Sequence, residues 1–328
     1  MHTRRLPCAD SRSRLHALHM KRPAIVALMG PTASGKTAAS LDLAEQFGGE
    51  IVSVDSALVY RGLDIGSAKP TLEERRGIPH HLIDVRAPHE PYSAAEFAVD
   101  ARAAVEGILE RAALPILVGG TGLYFRALLE GLSAMPAADA ALRQAVTDEG
   151  AQRGWPAMHA ELARVDARAA ARIKPTDPQR IVRAIEVFRL SGRPISVWQE
   201  EGAQTGGSPW RVLRVVLCPP DRAELHRRIG RRFELMLDQG LIGEVEQLRR
   251  DPRLHADLPA VRAVGYRQTW AYLQGECDRA ALGEQVTAAT RQLAKRQITW
   301  LRREWAAFWR DPGGAPAAVH ELVTRFLG

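Results

Sequence analysis

Cysteine is scarce: only Cys8, Cys218 and Cys277 occur in 328 residues. They lie far apart without C-x-x-C spacing, which argues against a disulfide framework or a structural zinc site and fits a reducing cytosol. No apolar run approaches the ~20 residues that span a bilayer, which excludes a membrane protein. No internal repeat or low-complexity tract stands out, and 46% hydrophobic with 25% charged residues is ordinary for a globular chain. Lysine is nearly absent as well. The net charge of +7 is carried almost wholly by arginine, and it permits a polyanionic partner without proving one. Three of the five lysines, Lys36, Lys69 and Lys295, fall in stretches that carry motifs.

The length suffices for one large domain and a smaller one. Residues 1–20 are Arg-rich without an apolar h-region, so they are not a secretory signal. They read as a disordered leader or an upstream-start extension with Met20 as the true start; an organellar transit peptide is the alternative.

What is present begins with "AIVALM", Ala24–Met29, an apolar run that leads straight into "GPTASGKT". The helical "TAASLDLAEQF" follows, and strand, loop, helix is the order a phosphate-binding loop requires. Gly30, Pro31, Thr32, Ala33, Ser34, Gly35, Lys36 and Thr37 form that loop. Its glycines let backbone N–H groups converge on phosphate oxygens at a helix N-terminus. Lys36 would neutralise the outer phosphate and the Thr37 hydroxyl would ligate Mg²⁺. "EIVSV" and "LPILVGG" read as further buried strands, separated by a helix whose Ser93 and Glu96 stand at capping-box spacing. This β-α alternation implies an α/β fold: a P-loop NTPase-like parallel sheet flanked by helices, with ligands beyond the carboxyl ends of its strands.

After Gly131 the chain turns helical and free of strand signals up to "QTGGSP", and "RVLRVVLCPP" then returns to strand character. We therefore expect a discontinuous core over 21–131 and 208–312, a helical insertion domain over 132–207, and a C-terminal tail over 313–328. Within the insertion, Asp177, Pro178 and Gly192 mark the N-cap, first position and end of a helix.

Asp55 directly follows the second strand, on the rim of the phosphate loop; it is either a base or metal ligand, or the cap of the next helix. Thr121, within "GGTG", either meets phosphate or nucleophile or belongs to a plain glycine turn. In "TRQLAKRQITWLRREWAAFW", taken as one long helix, Arg291, Lys295 and Arg302 share a stripe at roughly 100° per residue, with Arg296 and Arg303 alongside. That stripe suits a phosphate backbone. Leu293, Ile298, Trp300, Leu301 and Trp305 take the opposite arc. Arg180 and Arg183 lie one turn apart, and "RAVGYRQTW" combines arginines, an aromatic and a Gln in a way that suits base stacking. Adjacent histidines in "PHHLID" would point to opposite faces of a strand, so a structural reading is better there; Asp84 is a candidate second acidic group near Mg²⁺.

In order, GPTASGKT, VDSALVYRGLDIGSAKP, PHHLID, YSAAEF, PILVGGTGLYF, DPQRIVRAIEVFRLSG, VGYRQ and TRQLAKRQITWLRRE make the chain resemble the tRNA dimethylallyltransferases, the isopentenyl-diphosphate transferase family, over roughly residues 22–310. The zinc-finger tail of some eukaryotic members is absent, so the bacterial type is the closer match. The resemblance implies transfer of a dimethylallyl group from dimethylallyl diphosphate to N6 of the adenine 3′ of the anticodon, in tRNAs reading codons that start with U. It implies Asp55 as general base, Thr121 near the amine and diphosphate, and Lys36 with Mg²⁺ at Thr37 on the leaving group. It assigns tRNA contacts to Asp55, Ser56, Ala57 and Leu58, to Thr121, and less securely to Arg143. Gln179, Arg180, Ile181, Val182 and Arg183 join them, as do Arg262, Ala263, Val264, Gly265, Tyr266 and Arg267. The last segment is Lys295, Arg296, Gln297, Ile298, Thr299, Trp300, Leu301 and Arg302. A cytoplasmic monomer is the expectation. The rivals are a P-loop nucleoside or metabolite kinase using ATP, a prenyltransferase acting on free adenine nucleotide, and a non-catalytic RNA-binding protein with a vestigial loop.

Overall fold

A computed structural model describes residues 22–203, 208–304 and 306–328. The leader, residues 204–207 of the expected linker, and Trp305 lie outside the described residues. Two compact units emerge, one of residues 22–128 and 208–328, the other of 129–207.

The larger unit is built on six parallel strands: β1 Ala24–Met29, β2 Gly49–Val54, β3 His80–His81, β4 Leu114–Gly119, β5 Arg211–Leu217 and β6 Phe308–Arg310. Their spatial order is β3-β2-β4-β1-β5-β6. From β1 the chain leaves for one side of the sheet and returns through β5 to the other, so the switch point lies at β1. Val26 pairs with Ile116 on one flank and Leu213 on the other, and Val52 pairs with Leu117. The apolar runs of β1 and β4 are buried because helices cover both faces of the sheet. Helix α1, Lys36–Phe47, sends Leu41, Leu43 and Ala44 into the core with Ile51, Ile116 and Val215. Helix α2, Ala94–Glu110, opens with the expected capping box: Glu96 N–H donates to Ser93 Oγ at 3.2 Å and Ser93 N–H to Glu96 Oε2 at 2.9 Å.

One expectation fails at the C-terminal end. The last long helix does not run to Trp309; it spans Arg279–Leu301. Phe308–Arg310 instead pairs with Val215–Leu217 at the open edge of β5, where backbone hydrogen bonds unavailable to an isolated helix reward an extended chain. Residues 313–328, the expected C-terminal tail, carry a further helix. Ala315–Leu327 is a helix whose Val319 and Val323 are buried in the sheet core.

The smaller unit consists of α4 Ala140–Arg153, α5 Trp155–Val165, α6 Ala167–Arg172, α7 Pro178–Ser191 and α8 Ile195–Ala203; α3, Gly122–Leu129, precedes it. Helix α7 has the N-cap, first-turn proline and left-handed terminal glycine expected of it (Asp177, Pro178, and Gly192 with φ 67°). Its apolar stripe meets Val146, Met158 and Leu162. Inside this core the Glu186 carboxylate is fully buried. Arg143 Nη2 and Arg183 Nη1 donate to its Oε2 at 2.8 and 3.0 Å, and Asp139 N–H to Oε1 at 3.0 Å. Breaking such a set is costly because the remaining groups lose their partner away from water. Glu186→Ala is expected to destabilise this unit by about 3 kcal/mol, read as a lowered denaturation midpoint with early proteolysis within 129–207; an unshifted midpoint would count against the cluster's role.

Candidate active site

Three loops leave the carboxyl ends of three adjacent strands: residues 30–35 after β1, 55–58 after β2 and 120–121 after β4. They enclose one side of a cleft of about 800 Å³. Helix α9, Arg222–Asp238, helix α12, Arg279–Leu301, and the segment 262–265 wall the other.

In the phosphate loop, Lys36 Nζ donates to Pro31 O at 2.7 Å and to Ser34 Oγ at 3.4 Å. Burial lowers its pKa to about 8; Asp55 opposes the shift and the charge of Arg232 adds to it. Helix α12 fixes the loop through one side chain. Gln297 Oε1 accepts from Thr32 N–H at 2.9 Å, while its Nε2 donates to Gly120 O at 3.1 Å, so a single amide ties the phosphate loop to the β4 loop. The β4 side needs glycine for this: a Cβ on Gly122 would lie 2.4 Å from the Trp300 ring. Trp300 in turn stacks on Phe125, centroids 6.1 Å apart.

A turn follows Asp55 where a helix was expected, and its two carboxylate oxygens are placed differently. Its Oδ1 accepts from Ala57 N–H at 2.8 Å and Leu58 N–H at 3.4 Å, capping the turn. Its carboxylate also lines the cleft, where Oδ2 makes no hydrogen bond among the described residues. Thr121 Oγ1 accepts from Ser56 N–H at 3.2 Å, which sets the hydroxyl beside the Asp55 turn.

Arg232 was not anticipated from the sequence. It lines the cleft, donates to Ser67 O at 3.2 Å, and has its pKa pulled down by burial against the field of Asp55. Its signal was faint. It sits next to Phe233, four residues beyond the Arg228–Ile229 pair, so it borders the buried Ile229–Phe233 stripe. The loop that holds it is itself anchored: Glu244 accepts backbone N–H bonds from Asp64, Ile65 and Gly66 at 3.0, 2.7 and 3.1 Å, and the Tyr266 hydroxyl at 2.6 Å.

With this geometry in place, the comparisons decide the family. Residues 58–304 match the model described as IPP transferase. A tRNA dimethylallyltransferase of Xanthomonas oryzae pv. oryzae is 58% identical over 94% of this chain and 95% of its own. One from Stenotrophomonas maltophilia is 60% identical over 89% and 93%. The crystal structure of the full-length tRNA isopentenylpyrophosphate transferase of Bacillus halodurans superposes with a TM-score of 0.69 at 35% identity, covering 94% of this chain and 97% of that one. The chain belongs to the IPP transferase family.

For an IPP transferase the placement of the remaining expected residues is informative. Ser56, Ala57, Leu58, Arg262, Ala263, Val264, Gly265, Arg296 and Trp300 line the cleft with Asp55 and Thr121. Lys295, Ile298, Thr299 and Arg302 stand on the other face of α12. Tyr266 and Leu301 are buried, and so are Ile181 and Val182 in the smaller unit; these four side chains pack within the fold and shape their segments. The stacking expected of "RAVGYRQTW" is corrected accordingly, since Tyr266 holds Glu244 and Gln268 Oε1 accepts from Gly265 N–H at 3.0 Å. Arg143 and Arg183 are committed to Glu186, whereas Gln179, Arg180 and Arg267 are exposed. Asp84 is no partner for a metal at the phosphate loop. Its Oδ1 takes the Lys69 ammonium at 2.5 Å and it does not line the cleft. His81 is structural as expected, 2.7 Å from Glu50 Oε2.

Among the described residues no group of three or more His, Cys, Asp or Glu could hold a metal, and no helix is long and apolar enough to cross a membrane. A Mg²⁺ ion keeps several waters and is carried mainly by substrate phosphates, with one or two protein oxygens. The exposed Thr37 at the start of α1 fits that modest demand.

Proposed function

We propose that this chain transfers the dimethylallyl group of dimethylallyl diphosphate to N6 of the adenine 3′ of the anticodon, in tRNAs reading codons that start with U. It does so as a cytoplasmic monomer. The observation that carries the reading is the convergence of the phosphate loop, Asp55 and Thr121 on one cleft large enough for a base beside a diphosphate. The N6 lone pair forms a bond to the allylic carbon, whose bond to the diphosphate oxygen breaks with the electron pair leaving on oxygen. Asp55 takes the N6 proton on the oxygen not used by its turn. Lys36, Arg232 and the loop N–H groups stabilise the negative charge that grows on the leaving group, and donors fixed in advance do this without reorganisation. Mg²⁺ at Thr37 would share that task. The adenine enters unstacked from the loop, because a stacked base cannot present N6.

Incubation with labelled dimethylallyl diphosphate and tRNA, AMP or ATP separates the readings. Label is expected in tRNA alone. Label in AMP would assign the free-nucleotide activity instead, and ATP hydrolysis without prenylation would assign a kinase.

A further inference from the structure

A second cavity, of about 520 Å³, opens where β5 ends. The start of α9, one face of α12 and edge strand β6 wall it, and no residue lines both it and the cleft. Helix α12 is the partition: Arg296, Gln297 and Trp300 face the cleft, while Lys295, Thr299 and Arg302 face the cavity.

The cavity is electrically one-sided, with Arg222, Lys295, Arg302 and Arg310 against a single carboxylate, Asp311. Nearby on α9, Arg227 and Arg228 both pair with Glu224. By contrast Arg222, Lys295 and Arg302 make no ion pair among the described residues. Uncompensated like charges around one hollow are unfavourable unless an anion enters it. The aromatic content is equally unusual. Trp309 lines the cavity on an edge strand and remains 37% exposed. A flat aromatic among unpaired guanidinium and ammonium groups is the combination that holds a single-stranded nucleotide, base on the ring and phosphate on the cations.

The position supplies the rest. The two cavities lie on opposite faces of α12, and Cys218 of the second is near enough to Lys36 of the first for their charges to interact. A base that leaves its stack for the cleft deprives its neighbours of a stacking partner. We propose that this cavity binds a second nucleotide of the RNA substrate, one flanking the modified adenosine, with its base on Trp309 and its phosphates on Arg222, Lys295 and Arg302. The proposal rests on RNA being the substrate and not on the transfer step.

Cys218 lines the cavity and reports its occupancy; Cys277, also free, is the internal control. The full-length protein is alkylated with iodoacetamide in the presence of an anticodon stem-loop RNA, without prenyl donor, and each cysteine is followed by mass spectrometry. RNA is expected to protect Cys218 and leave Cys277 unchanged. In parallel, Trp309→Leu should raise the Kd for the RNA about tenfold, the loss of one stacked base, with recovery in Trp309→Phe. Arg222→Ala should lower the salt slope of binding by about 0.7 for its lost phosphate contact. RNA that binds while Cys218 stays reactive, or wild-type affinity and salt slope in these variants, overturns the subsite alone. RNA that does not bind at all overturns the reading beneath it as well. Protection by AMP where RNA gives none would assign the cavity to a free nucleotide and also overturn the proposal.

Discussion

Asp55→Asn is expected to lower kcat about a thousandfold while the Kd for tRNA changes less than about twofold. The asparagine is the informative variant because Asp55 has two duties. Its Oδ1 caps the turn at Ala57 and Leu58, and an amide oxygen keeps that cap. What asparagine cannot do is accept the proton that leaves N6 as the new bond forms. Asp55→Ala should show the same kinetic loss plus a further cost of about 1 kcal/mol in stability from the missing cap. Single-turnover rates with donor and tRNA in excess measure the chemistry, and filter binding measures the affinity. If tRNA affinity falls by as much as the rate, the carboxylate is a binding group and the general-base assignment is wrong.

Lys36→Ala is the second large effect, with kcat/KM for the donor reduced about a hundred- to a thousandfold, the range for removal of one preorganised charge stabiliser. The lowered pKa gives this prediction a pH signature. Because kcat/KM follows the free enzyme, it should decline as pH rises through about 8, where the Lys36 ammonium is lost. In the complex the diphosphate favours the charged form, so kcat holds to higher pH. Lys36→Gln should flatten the alkaline limb of kcat/KM; a limb that survives in this variant belongs to another group. Stability moves the other way. The folded pKa of about 8 lies below the ordinary lysine value of 10.5, so between those pH values the unfolded chain binds more protons and Lys36 makes folding more favourable as pH rises. A loss of activity above pH 8 that tracked unfolding would therefore contradict the assignment.

How far the sequence foretold this arrangement depends on how local each signal is. The β1–loop–α1 unit, the Ser93–Glu96 cap and helix α7 are written in contiguous residues, and all three are as expected. Phe308–Arg310 was misread because its three residues are a strand only by virtue of β5, roughly ninety positions earlier. The roles of Asp55 could not be divided between its oxygens from sequence, since the choice depends on which N–H groups the turn aims at it. Arg232 was missed for a similar reason: one arginine in an Arg-rich helix is distinguished only by the loop carbonyl it meets. Tyr266 and Gln268 misled because side chains that suit bases also suit a buried carboxylate or a turn N–H.

The amide of Gln297 sets a timing on all of this. Its bond to Thr32 spans 265 positions and its bond to Gly120 spans 177. Contacts this remote in sequence close late, because the chain loses entropy long before they reward it. On the ribosome the phosphate loop emerges long before its clamp. A nascent chain therefore carries the motif that grips phosphate without the tie that joins it to the Thr121 loop, and the transfer site is assembled only once Gln297 has been made.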